Sequence, residues 1–202
     1  MTIGIIVDGQ AEPEALRKLF PKLRGVGTIL QPLYADLQPK AAPGQIARKA
    51  LSRVRMLRQR SAERVILLLD REDRSECPPR LAGQIAKALD RLGEPGINVV
   101  VKNRAIENWL IADPGCLGKL EGRFRSATAL TKRVSPNKAD NVRGAASLLD
   151  RIAVRRPHHK RRDPPRIVQA MDVASAAGNS RSLRRFLRVL GDERYRDQSR
   201  LP

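Results

Sequence analysis

Residues 65–70 read Val-Ile-Leu-Leu-Leu-Asp, five aliphatic side chains closed by a carboxylate. A strand with one wet face alternates apolar and polar residues. This one does not, so it reads as a strand covered on both faces, the pattern of a parallel sheet between helices. Working outward, Ile3 to Val7 is a second apolar run, ending at Asp8-Gly9. Val26 to Tyr34 is a third, interrupted by Pro32, and Ile97 to Val101 is a fourth. Helical patterns lie between them. Glu12-Pro13-Glu14 opens the first, since proline and acidic residues both suit a first helical turn; its stripe is Ala15, Leu16, Leu19 and Leu23. Pro43-Gly44 precedes the second, with Ile46, Ala50, Leu51, Val54 and Leu57 on one face and Arg48, Arg55 and Gln59 on the other. A loop from Arg71 to Pro79 leads to a third over Leu81 to Leu92, and a fourth carries Ile106, Trp109 and Leu110 before Asp113-Pro114 ends it. Strands alternating with helices imply βαβ crossovers. The expectation is a Rossmann-like α/β domain over residues 1–115, with a mainly parallel four-stranded sheet flanked by helices.

From about Gly115 the pattern turns wholly helical: Asp140 to Val154, Pro165 to Ala170 and Ser182 to Leu190. Residues 116–202 read as a basic helical extension packed on the α/β part, or as the rest of one single domain. Between its helices lies Arg155-Arg156-Pro157-His158-His159-Lys160-Arg161-Arg162.

Charge narrows the partners. Lys and Arg number 40 against 21 Asp and Glu, a net charge of +19, so the surface attracts polyanions. Arg48, Arg55, Arg155, Arg156, Arg161 and Arg162 are the expected grip on a nucleic-acid backbone. Aromatic residues make up only 3%, so the core is aliphatic and backbone contact is expected rather than base stacking. No apolar run approaches the ~18 residues of a membrane span. The N-terminus has no basic segment before its short apolar run, so it reads as a first strand rather than a signal peptide, and a cytoplasmic location is expected. Cys77 and Cys116 are isolated and read as reduced thiols. A P-loop ATPase is excluded by the absence of G-x-x-x-x-G-K-[ST], and a Ser or Cys hydrolase by the absence of a nucleophile elbow.

Acidic residues gather where such a sheet binds ligands, beyond the carboxyl ends of its strands. Asp8 ends the Ile3 to Val7 strand; Asp70, Glu72 and Asp73 follow Val65 to Leu69; Glu107 sits in the helix after Ile97 to Val101. Alone, each has an ordinary explanation: a helix cap, a solvated loop, a surface helix position. Together they make a candidate site for Mg2+ or Mn2+, hard cations that take oxygen ligands and share their shell with substrate phosphates. Such a metal supports phosphodiester cleavage.

At these residues the chain resembles the TOPRIM superfamily, the catalytic domain of primases, topoisomerases and OLD-type nucleases. Ile5-Ile6-Val7-Asp8-Gly9-Gln10-Ala11-Glu12 resembles its V-E-G-x-x-E opening, and Leu67-Leu68-Leu69-Asp70-Arg71-Glu72-Asp73 its Asp-x-Asp motif. Ala105-Ile106-Glu107-Asn108-Trp109-Leu110 with Ala112-Asp113 resembles the E-x-W-L-x-A-D of a TOPRIM-like domain family of unknown function, numbered 4276. The tail resembles the same family through His159-Lys160, Ile167 to Asp172, Asn179-Ser180-Arg181-Ser182 and Leu183 to Leu190.

The resemblance, OLD-nuclease-like, implies a metal-binding domain of a kind often encoded beside an ABC- or SMC-type ATPase and suspected in antiphage defence; the expected function is a metal-dependent nuclease working with such an ATPase. It implies Asp8 and Asp70 as primary ligands, Glu72 or Asp73 as a further one, Glu107 for a second metal or the attacking water, and Glu12 as a ligand from the first helical turn. Lys160 is the candidate for neutralising phosphate charge. Asp8 stands where the family has Glu, one methylene shorter, and Glu72 stands where Asp is usual. These departures keep an alternative open: an inactive TOPRIM-like module that binds nucleic acid or a partner. A primase-type nucleotidyl transferase ranks lower, because the chain shows no template- or zinc-binding domain.

Overall fold

The computed structural model describes residues 1–120, 122–125 and 128–197. Five strands, β1 (Thr2–Val7), β2 (Thr28–Ile29), β3 (Leu33–Tyr34), β4 (Arg64–Asp70) and β5 (Asn98–Lys102), form one sheet in the order β2-β1-β4-β5, with β3 also on β1. Every pairing is parallel. The arrangement is Rossmann-like α/β. The strand expected over Val26 to Tyr34 is present as two pieces: Thr2 and Ile3 pair with β2, Ile6 and Val7 with β3. β4 occupies the other edge of β1, so both pieces share one edge. Pro32 has no N–H to donate and falls in the break. The count is therefore five rather than four, with the architecture unchanged.

The unbroken apolar run of β4 finds its reason in two cores. Ile66 and Leu68 join one buried cluster, Val65, Leu67 and Leu69 the other. All five are fully buried, each a burial of roughly 1.5–3 kcal/mol. Helices α2 (Pro43–Gln59) and α3 (Pro78–Arg91) cover one face of the sheet. The other face is covered by α1 (Glu12–Leu19), α4 (Ile106–Leu110) and the helices that follow: α5 (Pro114–Gly118), α6 (Thr128–Val134), α7 (Ala145–Ile152), α8 (Asp163–Ala170), α9 (Val173–Asn179) and α10 (Arg181–Leu190). That cluster runs from Ile3 to Tyr195, so sheet and helical segment share one core. Among the described residues, no helix is long and apolar enough to cross a membrane.

The helix expected over Asp140 to Val154 is broken. A 3-10 turn at Ala139–Asn141 is followed by Gly144, whose φ of +66° is left-handed, and α7 starts only after it. Helices α5, α6 and α9 are seven residues or fewer, too short to show a periodic stripe in sequence.

A buried polar brace docks the helices. Asp140 accepts from the hydroxyls of Ser180 (2.9 Å) and Ser182 (2.7 Å) and from the Ser182 amide (2.8 Å). Trp109 Nε1 donates to Ser182 Oγ at 2.7 Å, and its ring stacks on Phe186. Asn108 donates to the carbonyls of Ala139 and Val142. Asp113 accepts from the Asp172 amide and the Ser175 hydroxyl. Several residues that carried the resemblance thus serve packing.

Candidate metal centre at the strand ends

Three carboxylates distant in sequence meet at the carboxyl-end rim of the sheet. Asp8 follows β1, Asp70 ends β4, and Glu12 stands in the first turn of α1; one oxygen from each lies within 4.8 Å of the others. Local geometry fixes each. The amide of Asp70 donates to Asp8 Oδ2 at 2.8 Å, bridging two adjacent strand ends. Asp8 does not cap α1, which has no side-chain cap. Gly9 lets the Glu12 side chain fold back over the turn: a Cβ there would lie 2.8 Å from Glu12 Oε1.

Lys102, the last residue of β5 and fully buried, reaches the same point. Its Nζ stands 2.9 Å from Asp70 Oδ1 and 3.3 Å from Asp8 Oδ1, and donates to Glu12 Oε1. The ladder puts it there, since Asp70 and Lys102 are register partners. Burial alone would draw the lysine toward neutrality, but Asp70, Asp8 and Glu12 outweigh it and hold its pKa well above the ordinary lysine value. The acids carry the cost. Burial, opposed by Lys102 and reinforced by Asp8, raises Asp70 to about 7. Burial also raises Glu12 well above the carboxylate range, with Lys102 offsetting it only in part and Asp8 and Asp70 adding to it. Glu12 Oε2 is buried and has no hydrogen-bond partner. The Asp70 side chain, 18% exposed against 3% for Asp8 and Glu12, is the member that solvent reaches.

The donor set fits a divalent hard cation. It offers oxygens only, and Glu12 Oε2 and Asp70 Oδ1 have no hydrogen-bond partner, although Asp70 Oδ1 is ion-paired with Lys102; with all three carboxyls ionised, as a bound cation would hold them, the acids outnumber the one ammonium by two charges.

The other expected residues take different places. Glu107 is half-buried and stands outside the cluster, yet near enough for its charge to raise Asp70 further. Glu72, with φ +53°, lies 3.4 Å from Lys40, and Asp73 lies 3.7 Å from Arg104 with its side chain 85% exposed. Lys160 is exposed in the turn between α7 and α8. In the same turn Arg161 donates to Gln10, one of the residues joining Asp8 to Glu12. His158 in that turn is buried with Nε2 unpartnered, and burial holds its imidazole below the ordinary value despite Asp163, Glu107 and Asp150 nearby. Arg155, Arg156, Arg161 and Arg162 are exposed there, whereas Arg48 and Arg55 are exposed on α2, which covers the opposite face of the sheet; Arg55 pairs with Glu94 at 3.1 Å. These six arginines do not form one surface. Cys77 and Cys116 are free; Cys116 is buried, and burial with the nearby Asp113 pushes its thiol up to about 12.

Lys102 is the residue that sequence reasoning missed. The only signal for it was its position: a cation directly after an apolar strand, on the same rim as Asp8 and Asp70.

A family model described as "Domain of unknown function (DUF4276)" matches residues 7–191. No curated protein and no solved structure matches the chain.

Proposed function

The chain belongs to the DUF4276 family, and from that premise we propose that it is a TOPRIM-like, metal-dependent nuclease acting on nucleic-acid phosphodiesters. One observation carries the reading: three carboxyl groups, of Asp8, Glu12 and Asp70, converge at a strand-end rim with the single ammonium of Lys102 between them. Carboxylates held this close repel one another, and one Mg2+ or Mn2+ would balance them. Asp8, Glu12 and Asp70 would hold it; when bound it supplies Lewis acidity toward a phosphoryl oxygen and a water of lowered pKa. Asp70, the member that solvent reaches, would be the one to meet an incoming strand. Asp8 fixes Asp70 through its backbone amide, and Lys102 sets the resting charge of the cluster. Glu107, outside the cluster but coupled to Asp70, orients water or a second cation. The net charge of +19 draws a polyanion to the surface. Lys160 and the arginines of its turn supply charge around the Gln10 side of the site. An ABC- or SMC-type ATPase partner and a role in antiphage defence belong to the same reading and rest on the TOPRIM resemblance alone.

Lys102 favours a second reading. Its ammonium already contacts all three acids, as in a closed ion-pair knot, so the fold would serve as a non-catalytic module binding nucleic acid or a partner. Cleavage assays separate the two. Purified protein is incubated with supercoiled, linear and single-stranded DNA and with RNA, in Mg2+, Mn2+ or chelator. The nuclease reading expects metal-dependent cutting that Asp70→Ala abolishes. Absence of cutting on every substrate, with binding equal in metal and chelator, establishes the module instead.

A further inference from the structure

On the same rim, over the ends of β4 and β5, lies a cleft of about 460 Å3 lined by Arg71, Arg74, Arg104 and Arg143, with Ser75, Gly144 and one carboxylate, the largely exposed Asp73. Arg71 directly follows Asp70, and Arg104 comes two residues after Lys102, so the cleft borders the carboxylate cluster without containing it. The loop that carries Arg71 is pinned to β5: the Arg71 amide donates to the Lys102 carbonyl (3.0 Å) and the Glu72 amide to the Arg104 carbonyl (2.9 Å).

The four guanidinium groups are not equally committed. Arg74 is occupied, donating to the carbonyls of Pro39 and Ala41 and to the Glu76 carboxylate. Arg104 has only the loose pair with Asp73. Among the described residues, Arg71 and Arg143 have no side-chain hydrogen bond or ion pair. The Nε atoms of Arg71 and Arg104 are buried without an acceptor. A buried donor left unpaired is costly, and the planar guanidinium fork matches two oxygens of a phosphate. Helix α7 adds to this, starting at the lip with Gly144 as its N-cap and no side-chain cap, its positive end at the cleft. No aromatic ring lines the cleft, so it offers nothing for a base to stack on.

We infer that this cleft is a phosphate subsite that grips the backbone of a single nucleic-acid strand beside the carboxylate cluster, through Arg71, Arg104 and Arg143. The inference rests on the nucleic-acid reading above, but not on cleavage. It also moves the backbone grip from the scattered arginines of α2 and the 155–162 turn to a place next to Asp70.

The test is binding of a short labelled single-stranded DNA, or RNA, to the full chain in chelator, followed by anisotropy across a salt series. Chelator removes any metal contribution, so the result does not depend on whether the protein cuts. Arg71→Ala and Arg143→Ala are each expected to weaken binding roughly tenfold and to lower the log–log salt slope by about 1, while Arg48→Ala changes neither by as much. Arg143→Gln and Arg71→Lys keep most of the side-chain volume should the alanine variants fail to fold, and both are expected to weaken binding. Parental affinity and slope in folded Arg71→Lys/Arg143→Gln protein overturn the inference, whatever the cleavage assay gives. Inorganic phosphate or a mononucleotide that competes at the strand's own affinity also overturns it, since the cleft would then recognise a free phosphate. Arginine-dependent strand binding in a protein that never cuts upholds the inference and removes only the nuclease reading.

Discussion

Asp140 and Asp70 are both acids held inside the protein, and they are treated in opposite ways. Asp140, 3% exposed, receives three hydrogen bonds from Ser180 and Ser182, all from neutral donors and all in one brace that docks α10. Asp70 shares a single lysine with two other acids, in a cluster where Glu12 keeps an orphaned oxygen. The Asp140 brace is complete on its own, so its role ends with stability. The Asp70 cluster has more carboxyl groups than its one lysine can pair, and burial, with Asp8 beside it, lifts Asp70 to about 7. A fold that satisfies one buried acid fully can satisfy another; where it does not, the unmet demand is what the proposed cation would answer.

The largest expected effect removes the answer that the cluster does have. Lys102→Met leaves three carboxylates without a counterion and should cost about 3–5 kcal/mol in urea unfolding at pH 7 in chelator. Mg2+ or Mn2+ should restore more stability to this variant than to the parent. A variant as stable as the parent would show that the lysine does not hold the cluster. The matching cut in the other region, Asp140→Ala, strands three donors and should cost about 2–3 kcal/mol. That loss should be indifferent to metal, and a metal-sensitive loss would dissolve the distinction between the two regions. The smallest effect is a slope. Asp70 has a folded pKa raised above its unfolded value, so its contribution is complete below about pH 4 and is lost as pH rises toward 7, at no more than about 1.4 kcal/mol per pH unit. The stability of the parent minus that of Asp70→Asn, measured in chelator, should therefore fall between pH 4 and 7. A difference that is level over that window and drops only below about pH 4 would mean Asp70 is held charged, and the cluster satisfied without a metal.

The fold was legible because β4 and β1 are uniformly apolar, and such runs have few places to go except the centre of a parallel sheet. Asp8 and Asp70 were legible for the same reason: both stand at ends of those runs, where this topology gathers ligands. Glu12 was visible only through the resemblance, since an acid in a first helical turn is explained equally well by the helix dipole. Lys102 was hidden by the habit of reading a lysine after an apolar strand as the point where the chain meets water. Arg71, Arg104 and Arg143 were hidden because they sit in loops and turns that carry no periodicity and are joined only by tertiary structure. In the helical segment, Trp109 and Phe186 behave as their apolar character suggests, but the short helices α5, α6 and α9 left no stripe to find.

The pairing of Asp70 with Lys102 across β4 and β5, and of Val7 with Leu68 across β1 and β4, ties the cluster to strand alignment. Side chains alternate between faces along a strand, so a slip of one residue would turn the lysine away from the acids and scatter the charges. None of the three strands builds the cluster locally; each adds its member only when the ladder closes in the correct frame. The assembled charge cluster therefore exists only in a correctly aligned sheet. A cation whose binding requires the whole cluster would favour the native chain over any misaligned state, and would thereby proofread the folding of the domain.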